Sequence, residues 1–323
     1  MDLKMAKKIE KKNENKVSLN LFGYDKYFND FFNLYDKSKF PKVSLLSGDK
    51  GLGKYTFIFH LINCFLSTKD RNPYNLNDKR INEDNQIYKQ IISNVSQNFF
   101  YVSNENNSKA NIEDIRNLKN LLNNSTLNNT PRFIIIDDVE FLNINSANSL
   151  LKLIEEPSST NFFILINNNR RKVLETIKSR SIETKIFLNK TQKKIILSKL
   201  ISHFNIDEHY SHQYFSYTTP GLLIEFSKIL NENKIVINTS FYEMASTFLD
   251  KYKKNKNEVY LECIKFFLEI KSKDIYNKSK NDLFIAINEK NDLMKILYNY
   301  KIFNLTNAAI LDYIKKSKNS LYV

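Results

Sequence analysis

The sequence predicts an α/β chain, with a parallel sheet flanked by helices over residues 17–187 and helices alone from residue 191 onward. Three observations carry this. Short uninterrupted apolar runs at 43–46, 99–102, 133–136 and 162–166 alternate with segments of helical spacing, the pattern of strands buried on both faces of a parallel sheet. The first run leads into a glycine-rich turn and then an apolar helix. After residue 191 only the three-and-four spacing of helices remains.

Residues 1–16 are highly charged and read as a flexible basic tail. An entry turn at 17–23 leads to an aromatic helix over 24–35, whose Phe28, Phe31, Phe32 and Tyr35 read as core packing rather than as an adenine-stacking box. The strand at 43–46 is followed by Gly48-Asp49-Lys50-Gly51-Leu52-Gly53-Lys54, which fits G-x-x-x-x-G-K, and by a helix over 56–66. Glycines let the backbone turn its N–H groups toward phosphate oxygens, the helix adds its positive end, and Lys54 adds a point charge. The chain has only five glycines, and three of them fall within these positions, which argues for a phosphate-binding loop over a chance turn.

One position departs from the pattern. The residue after the lysine should be Ser or Thr, whose hydroxyl coordinates Mg²⁺, but it is Tyr55. Thr56 is no simple substitute, because one step along a helix turns the side chain by about 100°.

Residues 67–84 are polar and contain Pro73, the mark of a surface insertion. Helices follow at 87–92 and 112–123, the latter with Ile115, Leu118, Leu121 and Leu122 on one face, and between them lies a strand at 98–103. The strand at 133–136 ends in Asp137-Asp138, carboxylates at the sheet edge where open α/β folds place their ligands. An amphipathic helix at 145–156 carries Ala147, Leu150, Leu151 and Ile154 and is stopped by Pro157. The strand at 162–166 ends in Asn167-Asn168-Asn169, and a helical turn leads to Ser179-Arg180-Ser181. On the residues alone, Arg180 reads as a helix cap or a local salt-bridge partner.

The remaining helices are expected at 192–204, 222–230, 241–252, 258–270, 282–300 and 305–315. His203, His209 and His212 lie close together without a Cys or carboxylate cluster, so no metal site is predicted there. Cys64 and Cys263 are too few and too far apart for a disulfide framework or a zinc knuckle. No apolar run reaches the length of a membrane span and the Lys-rich start lacks an apolar core, so a cytoplasmic protein is expected. The net charge of +14 fits either a defined DNA-binding patch or a generally solvated basic surface in a Lys- and Asn-rich chain.

The stretches LLSGDKGLGKYT, NIEDIRNL, FIIIDDVEFLNINSANSLLKLIEEP and IKSRS, in this order and spacing, resemble the AAA+ clamp-loader family of bacterial DNA polymerase III over roughly residues 20–230. The resemblance implies an AAA+ sheet domain at 17–187, a helical lid at 188–233 and a C-terminal helical collar at 234–323 that joins subunits. It implies a hetero-pentamer with tau/gamma and delta subunits that uses ATP to load the beta sliding clamp onto primed DNA. By position, Gly48, Gly51, Gly53, Lys54, Tyr55 and Thr56 correspond to the phosphate loop. Asp137 matches the Mg²⁺-linked aspartate, Asp138 stands where hydrolysing members carry Glu, and Asn167 or Asn168 matches a sensor at the end of the fourth strand. Arg180 matches the arginine of the family's S-R-C motif, which reaches into a neighbouring subunit's ATP site, with Ser181 in place of the cysteine. Leu222 stands near a sensor arginine of hydrolysing relatives, and their zinc-binding cysteine cluster is absent.

The resemblance therefore implies a subunit that completes its neighbour's ATPase with a weakened site of its own, where ATP binding is possible and Mg²⁺ would accompany it. Two alternatives stay open, a self-sufficient AAA+ ATPase of repair or replication restart and a P-loop small-molecule kinase.

Overall fold

The computed structural model describes residues 17–103, 110–122, 130–205, 218–235, 239–278 and 283–316. The basic tail at 1–16, His209, His212 and the segment at 214–217 lie outside the described residues. The chain folds as two compact units, Met1–Gln192 and Lys193–Val323.

In the first unit the elements run α1 (Asp25–Asp36), β1 (Val43–Ser47), α2 (Lys54–Leu66), α3 (Gln86–Ile92), β2 (Phe99–Ser103) and α4 (Ala110–Leu122). There follow β3 (Arg132–Asp137), a 3-10 turn (Val139–Phe141), α5 (Ile144–Ile154), β4 (Asn161–Asn167), α6 (Glu175–Lys178) and β5 (Ile182–Lys185). The strands form one sheet in the order β2-β3-β4-β1-β5, every pair parallel. From β1 the chain crosses to the far edge at β2, whereas β5 adds to the other side of β1. This reversal opens a crevice at the C-terminal end of β1, where α/β sheets bind ligands. The register brings Ser47 beside Asn167 and Ser103 beside Asp137, so the polar ends of four strands share one edge.

Both sheet faces are covered, which is why β1, β3 and β4 read as continuous apolar runs. On one face Ile134, Ile136, Phe163 and Leu165 pack with Ile115 and Leu118 of α4 and Ala147, Leu150 and Ile154 of α5. On the other, Phe133 stacks on Phe162 at 5.3 Å and meets Phe65 of α2 at 5.9 Å, while Tyr35 of α1 stacks on Phe65 at 3.8 Å. Ile135 at the sheet centre is fully buried, and burying one such side chain contributes about 1.5–3 kcal/mol.

Helix α2 is buried nearly all round, because α1 and the polar insertion after it roof its outer face. Tyr24 stacks on Phe57 at 4.7 Å and Phe28 on Tyr74 at 5.6 Å. Short polar side chains order the insertion by capping its own backbone: Ser67 Oγ accepts from the Tyr74 N–H, Asp70 from Asn72 and Gln86, and Asn85 from Tyr88. Inside it, Tyr74 and Ile81 are buried, so the segment that reads as surface insertion also closes the core. Under that roof His60 lies between the Tyr74 hydroxyl at Nδ1 (3.0 Å) and the Ser18 carbonyl at Nε2 (2.9 Å).

Helix ends differ modestly from the sequence reading. Helix α5 stops at Ile154, ahead of the expected 156, because Pro157 disfavours a helical residue before it and offers no N–H to the turn.

The second unit is helical: most of α7 (Lys190–Phe204), then α8 (Pro220–Glu232), α9 (Phe241–Asn255), α10 (Val259–Lys278), α11 (Leu283–Phe303) and α12 (Asn307–Lys316). These helices share one apolar core in which Phe241, Phe248, Leu249, Ile264, Leu268, Leu297 and Ile310 are almost fully buried. The two cysteines are buried free thiols, and burial pushes both thiols well up. Among the described residues no helix is long and apolar enough to cross a membrane, and no group of His, Cys, Asp and Glu could hold a metal ion.

Candidate functional site

The glycine-rich loop at the end of β1 has the backbone that its sequence requires. Gly51 and Gly53 take positive φ values of 82° and 89°, a region that side chains disfavour. Gly48 is needed for a different reason, since a Cβ there would lie 2.7 Å from the Ile186 carbonyl oxygen. Gly53 caps α2 without a side-chain hydrogen bond, so the N–H groups of the first turn face the crevice as a phosphate-binding end would. Lys54, the first residue of α2, is buried, and its Nζ donates to the carbonyls of Gly48 (2.6 Å) and Asp49 (2.9 Å). Burial pulls the Lys54 ammonium down to about 8, opposed by the carboxylates of Asp137, Glu140, Asp49 and Asp138. Four acids thus surround one lysine. Thr56, two residues further along α2, is half-buried.

The magnesium corner is built differently. Tyr55 turns its ring against Tyr101 of β2, with centroids 4.6 Å apart, and its hydroxyl is buried without a hydrogen-bond partner. The Tyr101 hydroxyl donates to Asp137 Oδ2 at 3.0 Å. Asp137 Oδ1 accepts from the Asp138 N–H at 2.8 Å and from Asn168 Nδ2 at 3.0 Å. Asn168 Nδ2 also donates to Asp138 Oδ1 at 2.8 Å, so one amide clamps both carboxylates at the end of β3. Asp138 is buried and held in the left-handed region at φ 55° as the chain turns into the 3-10 segment.

Asn167 does other work. Its side chain donates to Ser47 Oγ at 3.1 Å and accepts from the Asn169 N–H at 3.0 Å, tying β4 to β1. Asn169 in turn donates to Asp49 Oδ1 at 3.2 Å. The asparagine brought to the paired aspartates is therefore Asn168.

Two residues that the sequence reading did not single out complete the edge. Tyr101 reaches it from β2, whose alternation gave no cue to hydrogen bonding. Glu140 is buried, accepts the N–H groups of Asn168 (2.9 Å) and Arg170 (3.4 Å), and fastens the 3-10 turn to the loop after β4. Its Oε2 is buried without a partner, and burial holds the carboxyl above the usual range. Away from the edge, Glu155, also not singled out, follows the end of α5.

The residues present fit half of a magnesium triphosphate. The glycine conformations, the open helix end and Lys54 suit phosphate oxygens. The cation half does not fit as well, because the phenol of Tyr55, packed on Tyr101, stands in place of a short hydroxyl, and Asp137 shares its oxygens with protein donors. Hydrolysis also needs a carboxylate that can position water, and Asp138 is buried under the Asn168 amide.

Arg180 lies apart from this cluster, on the turn between α6 and β5. Its Nη1 donates to the Thr176 carbonyl at 3.1 Å and contacts Ser179 Oγ at 3.4 Å, and its Nε pairs with Glu155 Oε1 at 3.0 Å. The side chain is 39% exposed, so the guanidinium is held at the surface. The local cap and the salt bridge that the residues suggest are both made, and neither buries the charge. Ser181 donates to the Ile177 carbonyl at 3.0 Å, and Leu222 packs against the core of the second unit.

The family described as "DNA polymerase III, delta subunit" matches residues 23–189, just over half of the chain. DNA polymerase III subunit delta' of Buchnera aphidicola subsp. Acyrthosiphon pisum is 22% identical over 289 residues, covering 85% of this chain and 84% of that protein. The same subunit of Buchnera aphidicola subsp. Baizongia pistaciae is 35% identical over 79 residues, and here the match spans about a quarter of each protein. For the subunit of Buchnera aphidicola subsp. Schizaphis graminum, 23% identical over 155 residues, it spans 45% of the relative. A solved structure of a DNA polymerase III gamma subunit-related protein from Thermotoga maritima is similar over 90% of this chain and 99% of that one, at 16% identity and a TM-score of 0.45. With its glycine-rich loop, parallel sheet and helical second unit, and with the family match spanning that sheet, the chain belongs to the DNA polymerase III delta-subunit family.

Proposed function

We propose that this chain is the delta prime, or stator, subunit of a bacterial DNA polymerase III clamp loader. In this reading it joins tau/gamma and delta subunits in a hetero-pentamer in the cytoplasm, and the complex loads the beta sliding clamp onto primed DNA. Its own loop turns over little or no ATP, and Arg180 is offered to the ATP held by the neighbouring subunit. A guanidinium that reaches a γ-phosphate from across an interface stabilises charge that develops in phosphoryl transfer, an effect worth about 10³ or more in rate. Residues 188–233 act as the helical lid and residues 234–323 as the collar that joins subunits.

The observation that carries this reading is the contrast between two charges. Asp137, the residue that would hold Mg²⁺, is engaged at both oxygens by Tyr101, Asn168 and its own loop, whereas Arg180 keeps a half-exposed guanidinium on a turn. A chain that hydrolysed ATP by itself would need the first arrangement reversed. The test is calorimetric titration of the isolated chain with ATP, with and without Mg²⁺, together with its steady-state ATPase rate. The stator reading expects no Mg²⁺-dependent gain in affinity and no turnover above background. Brisk hydrolysis by the isolated chain would instead favour a self-sufficient AAA+ ATPase.

A further inference from the structure

We infer that Glu155 is the positioning residue for Arg180, an inference that rests on the proposed role of Arg180 and extends it to a second side chain. A guanidinium carries five N–H donors in a rigid planar fork. Here Glu155 Oε1 forms an ion pair with the guanidinium, nearest at Nε (3.0 Å), and the Thr176 carbonyl accepts from Nη1 at 3.1 Å, while Nη2 makes no hydrogen bond among the described residues. The two contacts come from different segments, the end of α5 and the α6 turn, so together they fix the guanidinium plane as neither could alone. What they leave over is one end of the fork, with donors of the kind that match phosphate oxygens.

Glu155 could act in one of two ways, by aiming the arginine or by sequestering it. The atom it holds decides between them. Because its nearest approach is to Nε, the ion pair need not break for Nη2 to meet an anion, and the carboxylate can stay beside the guanidinium while the arginine works. Glu155 is itself well placed to be rigid at its root, since its backbone N–H donates to the Leu151 carbonyl at 2.9 Å as the last turn of α5 closes. A long, flexible side chain held at one end in this way loses less freedom when it meets its target.

The pair is solvent-exposed, with side chains 39% and 47% accessible, so removing Glu155 should leave folding intact. The experiment measures steady-state ATPase of the fully assembled complex carrying Glu155→Ala, Glu155→Gln, Arg180→Ala or the Glu155→Ala/Arg180→Ala pair. Glu155→Ala is expected to lower kcat by about tenfold or more with KM for ATP within about twofold, in the range seen when an orienting partner is lost. Glu155→Gln, which keeps the shape and loses the charge, is expected to behave like Glu155→Ala, because the contact is an ion pair. In the Arg180→Ala background, Glu155→Ala is expected to add nothing.

A Glu155→Ala complex with unchanged or faster kcat would overturn positioning, the faster rate indicating sequestration instead. An equal loss with and without Arg180 would likewise overturn it, showing that Glu155 acts through something else. If Arg180→Ala itself has no effect, the role of Arg180 falls, and this inference falls with it. Those outcomes are distinguishable in the same set of four proteins.

Discussion

Acidification should destabilise this protein through His60, and the structure sets the size of the effect. The ring is buried in α2 beneath the insertion. Because Nε2 faces the Ser18 carbonyl it must carry the proton, leaving Nδ1 to accept from the Tyr74 hydroxyl. The neutral imidazole is thus fully satisfied, and burial, only partly offset by the Ser18 carbonyl, pushes its pKa from 6.5 to about 4.

Between those two values the unfolded chain carries a proton on this histidine and the folded chain does not. Stability therefore rises with pH across that window and is lost as pH falls from 6.5 toward 4. At about 1.4 kcal/mol for each pH step, the displacement amounts to about 3 kcal/mol, fully present at neutral pH. The assay is urea unfolding followed by far-ultraviolet circular dichroism from pH 7.5 to 4, on the wild-type chain and on His60→Gln. Gln can donate and accept at the same place but does not titrate. The difference in stability between the two proteins should shrink by about 3 kcal/mol over that range. A difference that stays flat would show that His60 charges freely in the fold, and the account of a sealed α2 would be wrong.

Two further substitutions probe how the site is held. Gly48→Ala forces a Cβ to within 2.7 Å of the Ile186 carbonyl oxygen, and thermal unfolding should show a loss of about 1–3 kcal/mol; an unchanged melting temperature would refute the close approach of the loop to the chain after β5. Asn143→Ala removes the side chain that caps α5 by accepting from the Ser146 N–H at 2.8 Å, and should cost about 1 kcal/mol in the same assay, with no loss meaning that the cap is idle.

The sheet was legible because its strands are buried on both faces, and such burial writes itself as unbroken apolar runs. The glycine-rich loop was legible for a different reason, since positive φ and close backbone approach leave few residues other than glycine. Contacts between side chains far apart in the chain left no such mark. Nothing in the spacing joins Tyr101 on β2 to Asp137 on β3, because the register that aligns Ser103 with Asp137 is a property of the folded sheet. Asn167 and Asn168 could not be told apart for a similar reason: alternation along a strand turns one toward Ser47 and leaves the next beside the aspartates.

Glu140 was hidden by its neighbours. A third acid two positions beyond an aspartate pair reads as surface charge, and only the turn geometry shows that it fastens the loop after β4. The sequence also left Arg180 between a local contact and a contact across an interface. The structure contains the local contacts, yet they occupy only part of the guanidinium, so the two roles are compatible.

The most direct test of the central claim compares two lysine and arginine substitutions within one assembly. ATPase of the complete clamp-loader complex would be measured with the chain carrying either Lys54→Ala or Arg180→Ala. The account predicts that Arg180→Ala slows turnover by about 10³-fold or more at the neighbouring site, while Lys54→Ala changes the rate by less than about twofold. The opposite ranking, with Lys54 indispensable and Arg180 silent, would contradict it.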